Sequence, residues 1–76
     1  VRANIDTNKH VNNGQYIKMA EEFISEDFKT REMRADYRQA AKLGDIIVPH
    51  VTQTNNSYFF VLSDTNGKPY TTLEFK

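Results

Sequence analysis

Two hydrophobic periods divide the chain. Between residues 13 and 25, Tyr16, Ile17, Ala20, Phe23 and Ile24 recur at helical spacing, with Lys18, Glu21, Glu22 and Ser25 opposite them. That pattern predicts a helix over 13–25 with one apolar face. Asn12 suits the N-cap, and Gln15 three positions later completes a capping-box pattern. After Lys29 the period falls to two, with Met33, Ala35 and Tyr37 alternating with Arg34, Asp36 and Arg38. Residues 46–54, 58–63 and 70–75 read as three further strands. Pro49 places itself at an edge, bulge or bend, since it has no N–H for a ladder. Leu43-Gly44-Asp45, Asn55-Asn56 and Asp64-Thr65-Asn66-Gly67 are the turns between them, and Gly67 is free to take positive φ. Residues 1–5 read as a short extended segment, followed by a polar turn at Asp6-Thr7-Asn8-Lys9. The order is strand, helix, then four strands whose short connections favour antiparallel neighbours. A helix with one apolar face buries it on such a sheet, which makes residues 1–76 an α+β two-layer domain.

Composition narrows the partners. Ten Lys and Arg balance ten Asp and Glu over 76 residues, so the chain lacks the net positive stripe of a strongly basic nucleic-acid binder. There is no cysteine, which removes disulfides, thiolate metal sites and a cysteine nucleophile together. No apolar run approaches the ~20 residues of a membrane span. No signal or transit segment is visible at Val1, and the start without Met is that of a fragment or a processed product. The hydrophobic share is 38%, low for a domain of this size. Chains this short bury only about 60% of their unfolded surface and often lean on a partner. A dimer, or half of a larger fold, is therefore expected.

The chemistry gathers before the helix. In the run from Ile5 to Tyr16, Asp6, Asn8 and His10 fall at alternate positions and share a side if the segment is extended. The helix start adds free backbone N–H groups and partial positive charge, and Gly14 leaves that backbone open to close approach. An imidazole, a carboxylate, an amide and an anion-favouring helix end suit hydrolysis of a carbonyl compound. Turn and cap chemistry alone also accounts for polar residues at such a place. Elsewhere His50 has no partner at metal-ligand spacing, so no metal is expected. Tyr58, Phe59, Phe60 and Phe75 read as core, and Lys9, Arg31, Arg34, Arg38 and Lys42 as a solvated basic face.

The run Asp6-x-Asn8-x-His10-Val11-Asn12-Asn13-x-x-Tyr16 resembles the acyl-acyl carrier protein (acyl-ACP) thioesterases, at the opening of the C-terminal one of their two hot-dog domains. The stretch from Asp36 to Asp45, with Tyr37-Arg38 and Gly44-Asp45, is similar to the family's strand and turn after the helix. The resemblance implies a hot-dog fold, one long helix packed on an antiparallel sheet of about five strands. It implies hydrolysis of the thioester between a fatty acyl chain and the phosphopantetheine arm of acyl carrier protein, in fatty acid biosynthesis. It implies no cofactor, a second hot-dog domain or homodimer partner, and a location in the bacterial cytoplasm or in the plastid of a plant. Asp6, Asn8 and His10 take the catalytic positions: His10 as base or water-orienting group, Asn8 placing water or thioester, Asp6 steadying its neighbours. Asn12, Asn13, Gly14, Tyr16 and Arg38 take substrate-binding positions. The resemblance also offers, beside the plain core and solvated-face readings, an acyl channel lined by Tyr58, Phe59, Phe60 and Phe75 and a basic patch of Lys9, Arg31, Arg34, Arg38 and Lys42 for an acidic carrier protein or phosphopantetheine. The glutamate that many members carry after the Tyr-Arg pair falls on Ala40, and the cysteine of some plant members on Ala41. That departure keeps two other readings in view: a non-catalytic hot-dog half that binds an acyl or carrier partner or completes a dimer, and an acyl-CoA thioesterase.

Overall fold

The computed structural model describes residues 12–42 and 44–76, and the extended segment expected at 1–5 lies outside them. One helix, α1 (Asn13–Glu21), precedes four strands: β1 (Met33–Tyr37), β2 (Val48–Gln53), β3 (Tyr58–Ser63) and β4 (Pro69–Phe75). The strands form one antiparallel sheet in the order β1-β4-β3-β2. Two of the expected neighbours are joined by short turns. The β2–β3 loop closes with Thr54 N–H donating to the Ser57 carbonyl at 2.9 Å. The β3–β4 turn closes with Asp64 N–H donating to the Lys68 carbonyl at 2.9 Å, and Gly67 takes the positive φ (85°) that the sequence anticipates.

The third expected neighbour is corrected. β1 and β2 do not pair. The intervening residues 38–47 carry the chain across, and β1 pairs along the far side of β4, from Met33↔Phe75 to Tyr37↔Thr71. Local pattern fixes period and turns but not which edge a longer connection reaches.

The helix is also shorter than its hydrophobic period. It has nine residues and not the expected thirteen or so through residue 25, so the long helix implied by the resemblance is not present. Beyond Glu21 the N–H groups of Phe23 and Ile24 reach back only three residues, to the carbonyls of Ala20 (3.0 Å) and Glu21 (3.2 Å). Such bonds tighten and end a helix. The Ser25 N–H then donates to the Tyr58 hydroxyl at 3.2 Å, which ties the departing chain to β3. The buried helical face changes accordingly. Tyr16, Met19 and Ala20 are buried, Ile17 and Ile24 pack at its margin, and Phe23 is 44% exposed.

The core lies between α1 and the middle of the sheet. Phe60, Leu62, Leu73 and Thr71 on β3 and β4 are fully buried, together with Ile47 and Ala41 from the β1–β2 connection. Phe60 meets Phe75 edge-on at 5.6 Å between ring centroids, and Phe28 meets Tyr58 likewise at 4.9 Å. These aromatic residues are core, while Phe59, one step out of phase, faces the other side of the sheet and is exposed. The Thr71 hydroxyl is satisfied by donating to the Asp36 carbonyl at 2.9 Å. Between the pairs Leu62↔Thr71 and Ser63↔Pro69 the register skips Tyr70, a bulge in β4. The extra residue interrupts the alternation of faces, and Tyr70 and Thr71 are buried in succession.

Candidate active site

Asn12 caps the helix as expected. It has extended backbone (φ −78°, ψ 162°), and its side-chain oxygen accepts the Gln15 N–H at 3.1 Å. A side chain at Gly14 would bring its Cβ to 3.3 Å from that same oxygen, so glycine here leaves the cap undisturbed. With Gln15 satisfied, the N–H groups of Asn13 and Gly14 are those at the helix start with no intrahelical acceptor of their own. Both residues are exposed.

Asn13 faces the exit of β1. A shallow cleft of about 280 Å³ lies between it and Tyr37, Arg38, Gln39 and Ala40. The bulge at Tyr70 shapes this exit. Its carbonyl accepts the N–H groups of both Arg38 (2.8 Å) and Gln39 (3.3 Å), which ends the ladder at Tyr37. Ala40 therefore stands beyond the strand, exposed at the cleft wall, and strand alternation does not govern where Gln39 points. The Gln39 amide turns to the β3–β4 hairpin. It donates to the carbonyls of Pro69 (3.2 Å) and Lys68 (3.3 Å) and to an Asp64 carboxylate oxygen at 3.5 Å. The Arg38 guanidinium is held by Asp36 at 2.8 Å, and the pair is exposed.

Behind the cleft the contacts become buried. Tyr16 is 1% exposed, and its hydroxyl oxygen accepts the Ala41 N–H at 2.9 Å. This single bond joins the second turn of the helix to the segment carrying Ala40. The Tyr16 ring lies 6.3 Å from that of Tyr37 and 6.4 Å from that of Tyr70. Tyr70 donates to an Asp45 carboxylate oxygen at 3.3 Å, and the same oxygen accepts the Lys42 N–H at 2.8 Å. Gly44, at φ 87°, permits the tight turn that returns Asp45 to this place. Burial raises both phenols above the ordinary range. For Tyr16 the Ala41 N–H opposes that rise and the Asp45 charge adds to it, and for Tyr70 Asp45 adds again. Both rings are therefore neutral hydrogen-bonding groups at ordinary pH.

The candidate residues thus divide. Asn13, Gly14 and Arg38 stand at or beside the cleft, Asn12 shapes the helix end, and Tyr16 lies behind it as the link to Ala41. Asp6, Asn8 and His10 lie outside the described residues. Among the described residues no carboxylate or imidazole lines the cleft, and those that do offer amide, guanidinium and helix-end groups suited to polarise a carbonyl. Among the described residues no three His, Cys, Asp or Glu side chains come together as a metal site, and no helix is long and apolar enough to cross a membrane. His50 is exposed on β2. Sequence names none of Tyr37, Gln39, Asp45 and Tyr70 as a site residue, although Tyr37 and Asp45 both belong to the family-like stretch from Asp36 to Asp45.

No curated protein and no solved structure matches the chain. A family model described as the acyl-ACP thioesterase C-terminal domain matches residues 1–74, which takes in the Asp6–Tyr16 run, the capped helix, the cleft and all of the sheet but Phe75. The chain belongs to the acyl-ACP thioesterase C-terminal domain family.

Proposed function

We propose that this domain serves a thioester hydrolase that releases fatty acid from acyl carrier protein in fatty acid biosynthesis. The observation that carries the reading is the family match across residues 1–74, from the Asp-Asn-His run through the helix start and beyond. His10 accepts a proton from water as the water oxygen attacks the thioester carbonyl carbon. An unperturbed imidazole titrates near ~6.5, which suits that task. Asn8 places the water or the thioester, and Asp6 steadies the neighbouring polar groups. Negative charge develops on the carbonyl oxygen, and the N–H groups of Asn13 and Gly14, which have no intrahelical acceptor, are suited to receive it. The carbon–sulfur bond then breaks, and the proton held by His10 passes to the departing thiolate of the carrier's arm. Water and acyl thioester become fatty acid and thiol.

The fold proposed is the hot-dog, completed by a second hot-dog domain or a second copy of this one. β1, an edge strand among the described residues, supports this. All five of its residues are exposed, and Met33 and Tyr37, on the same side of the sheet as the core, are each 40% exposed. Replacing His10 with Ala in the full-length protein is expected to lower kcat by ~10²–10⁴-fold. Full activity in that variant overturns the assignment. A non-catalytic reading has one observation in its favour: a methyl group, Ala40, stands at the cleft where many relatives carry a glutamate. It prevails if the unaltered full-length protein hydrolyses no acyl thioester.

A further inference from the structure

A second cleft, of about 510 Å³, lies at the end of the sheet where β1 begins and β4 finishes. It is polar and cationic. Lys29, Arg31 and Lys76 line it with the amides Asn55 and Asn56, and Glu32 is the one carboxylate side chain there among the described residues. That carboxylate is occupied, since Glu32 accepts from Arg34 at 3.0 Å. Lys76 has a loose exposed partner in Glu74 at 4.0 Å. Neither Lys29 nor Arg31 has an ion-pair partner among the described residues, whereas Arg34 and Arg38 both do. Of the basic residues considered as a patch, Lys9, Arg31, Arg34, Arg38 and Lys42, Arg34 and Arg38 are each paired with a carboxylate two residues back, and Arg31 joins Lys29 and Lys76 in this cleft.

The frame beneath these cations is firm. Lys76 and Glu32 exchange backbone bonds at 2.9 Å in both directions, and the Arg31 N–H donates to the Lys76 carbonyl at 2.6 Å. Phe28, at the cleft's inner wall, is anchored edge-on against Tyr58. Across the cleft, the turn bearing Asn55 and Asn56 is closed by the Thr54–Ser57 hydroxyl pair at 2.8 Å and by the Asn56 N–H on Thr54 at 3.3 Å. β1 separates this cleft from the one beside Asn13, and its five residues span about 13 Å. A free small thioester needs no charged handle a strand's length from its carbonyl. A thioester borne on a protein does, because the body of the carrier must rest away from the bond being broken.

We infer that the Lys29–Arg31–Lys76 cleft docks an acidic side-chain surface of the acyl carrier protein. This rests on the carrier-borne substrate proposed above. Charge complementarity of this kind steers encounter and weakens as salt rises.

The test is binding of apo acyl carrier protein, without its phosphopantetheine arm, to the full-length protein by calorimetric titration at low ionic strength. The double variant Lys29→Glu/Arg31→Glu is expected to bind about tenfold or more weakly and to lose most of the salt dependence. Its melting temperature should hold, because both side chains are exposed and have no ion-pair partner among the described residues. Lys18→Glu, on the helix, is the control for bulk charge and should bind as the parent does. Equal binding by parent and double variant overturns the inference. So does equal weakening by Lys18→Glu, and so does binding that requires the arm and is displaced by free phosphopantetheine. Hydrolysis is read separately. A parent that cleaves acyl carrier thioesters while the double variant binds undiminished fails the docking and keeps the thioesterase. A parent that binds through these residues but cleaves nothing does the reverse.

Discussion

β4 and β1 are paired residue by residue, share one face and share one hydrophobic period, yet their fates differ. Phe75, Leu73 and Thr71 are buried, while their partners Met33, Ala35 and Tyr37 are exposed. The cause is the reach of α1. A helix of nine residues spans about 14 Å and covers the middle of the sheet but not its edge. Apolar alternation thus identifies the side of a strand that faces the core. It does not tell whether the core extends far enough to cover it.

The sharpest break of that comparison is in the centre. Phe60→Ala should destabilise the fold by about 3–5 kcal/mol, because the ring is fully buried between Phe23, Tyr58 and Phe75. Met33→Ser at the edge should change the stability of this chain by less than about 0.5 kcal/mol. Denaturant unfolding of both variants measures the contrast, and a large cost at Met33 would mean that a second copy already covers β1.

A smaller effect is expected where centre and edge are linked. Tyr16→Phe keeps the ring but leaves the buried Ala41 N–H without its acceptor, a loss of about 1–3 kcal/mol. Hydrogen exchange at the Ala41 amide should accelerate, and exchange within β3 should change much less. Exchange accelerated equally throughout the sheet would show that the bond supports the whole fold and not chiefly the segment bearing Ala40.

The smallest effect concerns the far hairpin and acid. The Lys68 N–H, followed by the Asn66 N–H and the Gln39 amide, holds the Asp64 carboxyl below its ordinary range against a weaker opposing effect of burial. The unfolded chain therefore takes up this proton before the folded one does. The contribution of Asp64 is present above its ordinary value near ~3.9 and is lost as pH falls through the depressed folded value. Asp64→Asn should flatten the stability curve below about pH 4 and leave its shape near neutrality unchanged. An unchanged acid limb would show that the Asp64 carboxyl titrates alike in the folded and unfolded chain and contributes nothing to the acid dependence.

Much of the fold was legible locally. The β3 boundaries, the alternation of β1, the Asn12 cap and the positive φ of Gly67 each follow from a few adjacent residues. The candidate site was legible as a motif but not as an arrangement. Asn13 and Arg38 could be named from sequence, whereas their meeting across a cleft depends on where residues 38–41 leave the sheet. Tyr16 entered the site by resemblance, and the structure gives its hydroxyl a partner 25 residues away.

Sequence by itself determined the periods, the turns, the cap and the family motif, because these rest on side chains within a turn or two of one another. Tertiary structure decided the rest through bonds between distant segments. Ser25 on Tyr58 accompanies the end of the helix after Glu21, and the Tyr70 carbonyl takes two N–H groups and ends β1 at Tyr37. The pairing of β1 with β4 and not β2 is likewise non-local, since a connection of ten residues is long enough to reach either edge of the sheet.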